Sequence, residues 1–170
     1  MTAQSLFQPI SVLVVDDSAY MRHLLFGLLN ALEVGEIHLG ANGEEGLELY
    51  QRHMPDVVIT DAAMEPGDGF ELVRTLRAID NTELSTAPII MVSGHTDVAS
   101  VERARDAGIT AFLSKPISAA TLYRRLAEVV CHPRDFVDSP GYRGPDRRRR
   151  DQSFNGADRR EPASVQVALI

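Results

Sequence analysis

The chain has one cysteine, Cys131, and one lysine, Lys115, among seventeen Lys/Arg in 170 residues. A single thiol excludes an internal disulfide and suits a reducing compartment, so Cys131 reads as a small apolar residue at a helix end. No apolar run approaches the length needed to span a bilayer, which argues against membrane insertion. Met1 to Pro9 lack a charged start followed by a long apolar core and so do not read as a signal peptide. The expectation is a cytoplasmic protein.

Charge is present but unevenly placed. The formal net charge is −7, yet residues 133–170 carry eight Arg against six Asp/Glu, leaving nine Lys/Arg against eighteen acids in the rest. A basic tail on an acidic body suggests two modules with different partners.

Short apolar runs alternate with helical patterns through the body. Ile10 to Val15 ends at an acidic pair, Val57 to Thr60 at Asp61, Ile89 to Val92 at Ser93, and Ala111 to Ser114 at Lys115; Ile37-His38-Leu39 is a weaker fifth run. Continuous runs of this kind read as parallel strands buried on both faces. Between them, Met21, Leu24, Leu25, Leu28, Leu29 and Leu32 recur at helical spacing, as do Leu122, Leu126, Val129 and Val130, with Ser18 and Ser118 as N-caps. Strand–helix units in this order predict a doubly wound, three-layer α/β domain over residues 10–132. Past Pro133 the pattern stops. Pro133, Pro140, Pro145 and Pro162 with scattered Gly and Arg build no core of their own, so residues 133–170 read as a tail that is disordered or is ordered by a ligand.

Asp16, Asp17, Asp61, Ser93 and Lys115 all fall at the C-terminal ends of the expected strands, the edge where open parallel sheets bind ligands. Carboxylates gathered there would repel one another, and a hard cation such as Mg²⁺ resolves that conflict. An ionised carboxylate so placed can attack a phosphoryl donor in line and become an acyl phosphate. The Lys115 ammonium and the Ser93 hydroxyl are then available to the transferring oxygens.

These spacings resemble the receiver domain of response regulators, particularly stand-alone CheY-like proteins. The residues that carry the likeness are Val-Val-Asp16-Asp17-Ser18, Val-Ile-Thr-Asp61, Met-Val-Ser93-Gly94 and Phe112-Leu-Ser-Lys115-Pro116. The resemblance implies a flavodoxin-like (βα)5 fold with a five-stranded parallel sheet between helices. It makes Asp61 the phosphoacceptor, served by a histidine kinase or phosphotransfer protein. It assigns Mg²⁺ to Asp17, Asp61 and the Ala63 carbonyl, with Asp16 acting mainly through water. Ser93 and Lys115 would bind the phosphoryl group, Phe112 would be the aromatic whose rotamer reports phosphorylation, and the Lys115–Pro116 peptide would be cis. Met64-Glu65-Pro66 displaces by one residue the proline that usually follows, which implies a locally different loop. His95 borders the crevice and reads as a solvated residue at a helix start.

The tail repeats itself. Tyr142-Arg143-Gly144-Pro145-Asp146-Arg147-Arg148 is echoed by Phe154-Asn155-Gly156-Ala157-Asp158-Arg159-Arg160, and Arg149 and Arg150 extend the first copy. Arg forks suit guanine edges and phosphates, Asp accepts from guanine N–H groups, and an aromatic ring stacks on a purine. The motif therefore reads as a guanine-nucleotide clamp. A CheY-like receiver followed by such a segment resembles the Cle group of CheY-like cyclic di-GMP effectors, which implies cyclic di-GMP as ligand and the flagellar motor switch as partner. The expected function is that of a single-domain response regulator of chemotaxis signalling whose only chemistry is its own phosphoryl transfer and hydrolysis. Two alternatives stay open: a phosphotransfer intermediate or phosphate sink, and an RNA- or DNA-binding regulator acting through the basic tail. With no helix-turn-helix pattern after the receiver, sequence-specific reading of duplex DNA is not expected.

Overall fold

The computed structural model describes residues 6–147. In chain order the elements are β1 (Ser11–Val15), α1 (Ala19–Ala31), β2 (Glu36–Gly40), α2 (Gly43–His53), β3 (Val57–Asp61), α3 (Gly69–Arg77), α4 (Thr82–Thr86), β4 (Ile89–Ser93), α5 (Val98–Ala107), β5 (Ala111–Ser114), α6 (Ala119–Cys131), β6 (Phe136–Ser139) and β7 (Tyr142–Pro145). The first five strands form one parallel sheet in the order β2-β1-β3-β4-β5, the flavodoxin-like arrangement.

Burial along the strands explains which runs were easy to see. Every residue of β3 and β4 is buried, because helices cover both faces of the central strands. The edge strand β2 has only Gly40 buried, and its sequence carries a histidine and a glutamate accordingly. Side chains alternate across the sheet. Val12 and Val14 pack with Leu25, Leu29, Leu122 and Leu126 on one side, while Leu13 and Val15 pack with Tyr50, Leu72, Val73 and Leu76 on the other. Ser18 and Ser118 cap α1 and α6 as expected, Ser118 through a reciprocal box with Thr121. Cys131 is the exposed last residue of α6. The one-turn helix α4, capped by Asn81, was not anticipated.

The tail expectation needs correction over its first part. Residues 136–145 are not structureless but form an antiparallel hairpin, with Ser139 opposite Tyr142 and Phe136 opposite Pro145. Its turn is Pro140-Gly141, where Gly141 has φ +85, and Pro-Gly suits that conformation at the second central position. The hairpin has no core of its own; the body supplies one. Arg77 is buried and donates to the carbonyls of Gly108, Ser85 and Ala87 at 2.9, 2.8 and 2.8 Å, and its guanidinium lies 5.6 Å from the Phe136 ring centroid. Burial brings the Arg77 pKa down to about 10. Gly144 meets Gly108, the left-handed C-cap of α5, so closely that a Cβ on Gly144 would lie 2.8 Å from the Gly108 Cα. Two facing glycines let two backbones touch.

Gly144→Ala therefore forces the hairpin off α5. Amide protection over residues 136–145 is expected to fall by about tenfold or more in hydrogen exchange, with residues 10–132 unchanged. Unaltered protection in the hairpin would show that the contact is not what holds it.

Candidate functional site

Because β1 and β3 are adjacent and parallel, the loop after Val15 and the end of β3 meet at one edge. Asp16, Asp17 and Asp61 offer carboxylate oxygens that all lie within 4.8 Å of one another. Asp16 and Asp61 are buried and Asp17 is exposed. Lys115, just past β5, places Nζ 3.0 Å from Asp61 Oδ1 and 3.9 Å from Asp16 Oδ2. The Ala62 amide donates to the same Asp61 Oδ1 at 3.0 Å.

The loops are tied to one another by these carboxylates. Asp16 Oδ1 accepts from the Ser18 amide at 2.8 Å, and Asp17 Oδ2 accepts from the Glu65 amide at 3.0 Å, which links the β1 and β3 loops. Ala63 pairs with Asp68 in an isolated antiparallel bridge. Gly69 follows because nothing larger fits: a Cβ there would lie 1.9 Å from the Asp61 carbonyl oxygen. The displaced proline forms a cis Glu65–Pro66 peptide, and Lys115–Pro116 is cis as the resemblance implied.

Burial pushes the Asp16 carboxyl above its usual range. The Ser18 amide opposes that rise, the Asp61 charge adds to it, Lys115 opposes it and Asp17 adds again. Asp16 Oδ2 is buried and has no hydrogen-bond partner among the described residues. An all-oxygen donor set with an orphaned carboxylate oxygen fits a hard divalent cation such as Mg²⁺.

Ser93 and Phe112 line the same crevice as Asp17 and Ala63. Ser93 is buried at the end of β4, and its Oγ accepts from the His95 amide at 3.0 Å. Phe112 is half-buried on β5, and His95 is an exposed residue of the crevice lining. Two wall residues were not singled out from sequence. Arg103 on α5 lies 3.9 Å over the Phe70 ring and 2.9 Å from Asp68 Oδ2. Two separate elements, α5 and the start of α3, make that contact, and no local spacing signals it.

Tyr142, Arg143, Gly144, Pro145, Asp146 and Arg147 lie on or beside the hairpin, away from the acidic crevice. The Arg147 guanidinium stacks 3.6 Å from the Tyr142 ring centroid and pairs with Asp106 at 3.1 Å. Arg143 donates to the Ile79 carbonyl and pairs with Asp138 at 3.3 Å. The Tyr142 hydroxyl donates to the Pro145 carbonyl at 2.7 Å. Arg148, Arg149, Arg150, Phe154, Asn155, Gly156, Asp158, Arg159 and Arg160 lie outside the described residues. No described helix is long and apolar enough to cross a membrane.

Residues 12–127 match the response regulator receiver domain family. The chain is 32% identical over 133 residues to the transcriptional regulatory protein PdtaR of Mycobacterium tuberculosis, covering 78% of this chain and 62% of that protein. It is 36% identical over 123 residues to a protein-glutamate methylesterase/protein-glutamine glutaminase of Symbiobacterium thermophilum, covering 71% of this chain and 33% of that protein. Among solved structures, the Vibrio cholerae chemotaxis protein CheY4 superposes with a TM-score of 0.66 at 31% identity, covering 71% of this chain and 98% of CheY4. The chain thus spans less than two thirds of the length of either curated relative. On the strength of the family match, the strand order and the acidic crevice at the sheet edge, this chain belongs to the response regulator receiver domains of two-component signalling.

Proposed function

We propose that Asp61 accepts a phosphoryl group and that the arginine-rich segment reads a second input, cyclic di-GMP. The observation that carries the first part is Lys115 Nζ at 3.0 Å from Asp61 Oδ1 inside a cluster of buried carboxylates. Receiver domains typically interact with histidine kinases or phosphotransfer proteins and generally use Mg²⁺ at an acidic site. Asp17, Asp61 and the Ala63 carbonyl would hold Mg²⁺ directly and Asp16 through water; when bound, the ion neutralises charge on carboxylate and phosphoryl oxygens.

The chain's own groups divide the remaining work. Ala62 N–H and Lys115 both engage Asp61 Oδ1, which leaves Oδ2 as the attacking oxygen. A new O–P bond forms as the N–P bond of a phosphohistidine breaks, and the freed imidazole nitrogen takes the electron pair and a proton. Lys115 then follows the charge onto a phosphoryl oxygen. Ser93 Oγ already accepts from the His95 amide, so its own proton remains to donate to a second oxygen. Phe112, half-buried in the same crevice as Ser93, would be the aromatic that turns inward when Ser93 is drawn toward the phosphoryl group.

Cyclic di-GMP is supported by the doubled aromatic-x-Gly-x-Asp-Arg-Arg motif and by the Arg147 guanidinium resting on Tyr142. A flat cation on an aromatic face offers a ledge for a purine, and two motif copies match two guanines. Docking on the flagellar motor switch is the output that suits a CheY-like body; CheY4 itself is a chemotaxis protein.

Three outcomes are expected. A small phosphoryl donor labels the wild-type chain in Mg²⁺ and leaves Asp61→Asn unlabelled; equal labelling of both would move the phosphoacceptor elsewhere. Asp16, with its folded pKa raised, destabilises the fold progressively as pH rises through that value and the carboxyl ionises. At neutral pH without metal, Asp16→Asn should therefore melt a few degrees higher than wild type and lose most of the rise that Mg²⁺ gives wild type. An undiminished Mg²⁺ response would remove Asp16 from the cation site. In titration calorimetry, Arg147→Ala should weaken cyclic di-GMP binding by about tenfold or more, as loss of a charge-assisted contact implies. No heat with the wild-type chain rejects the nucleotide reading and leaves the phosphoacceptor untouched.

A further inference from the structure

A second cluster of ligating side chains lies on β2 and α2 and takes no part in the chemistry above. Glu36 and His38 are two residues apart on the edge strand, so their side chains share one face of the sheet. The C-terminal residue of α2, His53, is laid over that face. The His38 and His53 rings stack with centroids 3.9 Å apart at 23°, and His38 Nε2 lies 3.4 Å from Glu36 Oε1. One ligand atom from each of Glu36, His38 and His53 falls within 4.8 Å of the other two.

His38 Nε2 is buried and lacks a hydrogen bond despite the nearby carboxylate. A buried polar atom without a partner calls for an explanation. Its lone pair is available, because burial and the neighbouring His53 hold the ring toward its neutral form against the pull of Glu36. His53 also sits in the last turn of its helix, where exposed carbonyls favour positive charge.

We propose that Glu36, His38 and His53 form a surface site for a divalent transition cation of the Zn²⁺ class. Two imidazoles and one carboxylate are the borderline donor set that Zn²⁺ takes, with a coordination position left for water or an outside ligand. Mg²⁺ prefers oxygen alone, so the acidic crevice and this cluster select different ions. The bound ion clips the edge strand to the end of α2 across fifteen residues of chain, using groups that ring stacking alone leaves unsatisfied.

The test is a Zn²⁺ titration of the untagged, chelator-treated full chain with Mg²⁺ saturating, followed by calorimetry and by NMR of the histidine rings. One site of micromolar affinity is expected, with the His38 and His53 signals moving together among the five histidines. His38→Gln and His53→Gln should each weaken binding by about tenfold or more, and Asp61→Asn should leave it unchanged. His53 is exposed, so its variant separates lost ligation from lost folding. Shifts confined to His95, affinity unaltered in both glutamine variants, or loss of Zn²⁺ binding in Asp61→Asn would each overturn the site.

Discussion

The fold is organised around a repulsion. Adjacent parallel strands deliver Asp16, Asp17 and Asp61 to one edge, and two of these carboxylates are buried. Burial above all, with the Asp61 and Asp17 charges adding to it, raises the cost of ionising Asp16. Everything close by tempers it: the Ser18, Ala62 and Glu65 amides point donors at the carboxylates, and Lys115 brings the one lysine of the chain. Gly69 lets the β3 loop return against the Asp61 backbone, where any side chain would collide. Asp16 Oδ2, buried without a hydrogen bond among the described residues, is the oxygen that a cation's bound water would satisfy.

Such a site is legible in sequence because its parts are local. Each charged residue ends an apolar strand, and apolar strands buried on both faces announce themselves. Val57–Asp61 and Ile89–Ser93 match the expected runs within a residue. The edge strand β2 is fainter for a physical reason, since it is only partly buried and tolerates Glu36 and His38. What the sequence hides is pairing across elements. The hairpin of residues 136–145 has too little apolar surface to form alone and draws its core from Arg77 and Gly108, which stand far away in the chain. The Pro140-Gly141 turn between Phe136-Val137 and Tyr142 was its only local sign. His38 and His53 become neighbours only when β2 and α2 pack, and Arg103 and Phe70 only when α5 and α3 do.

Arg77 shows why that hairpin is part of the body and not an appendage. Its guanidinium satisfies three carbonyls that feed into β4 and close α5, yet these offer no countercharge. The Phe136 ring face lies over this cation and screens it from water. Removing the hairpin would uncover a charge whose partners are backbone dipoles alone.

The hairpin also bears on how two inputs could reach one another. It docks where chain segments enter β4 and β5, the sheet edge opposite the carboxylates, so the described residues of the hairpin take no part in lining the acidic crevice. The α5 helix touches both. Arg103 reaches Phe70 and Asp68 at the acidic crevice, and Asp106, three residues on and so on a neighbouring part of the helix surface, holds Arg147. A ligand that claimed the Arg147 guanidinium would compete with Asp106 for it, and a change in the crevice that shifted α5 through Arg103 would bear on the same helix. If the proposed nucleotide binding and phosphorylation both bias α5, linkage makes their coupling reciprocal, each changing the other's equilibrium by the same factor. The spacing of three residues between Arg103 and Asp106 gives any such coupling a route through a single helix.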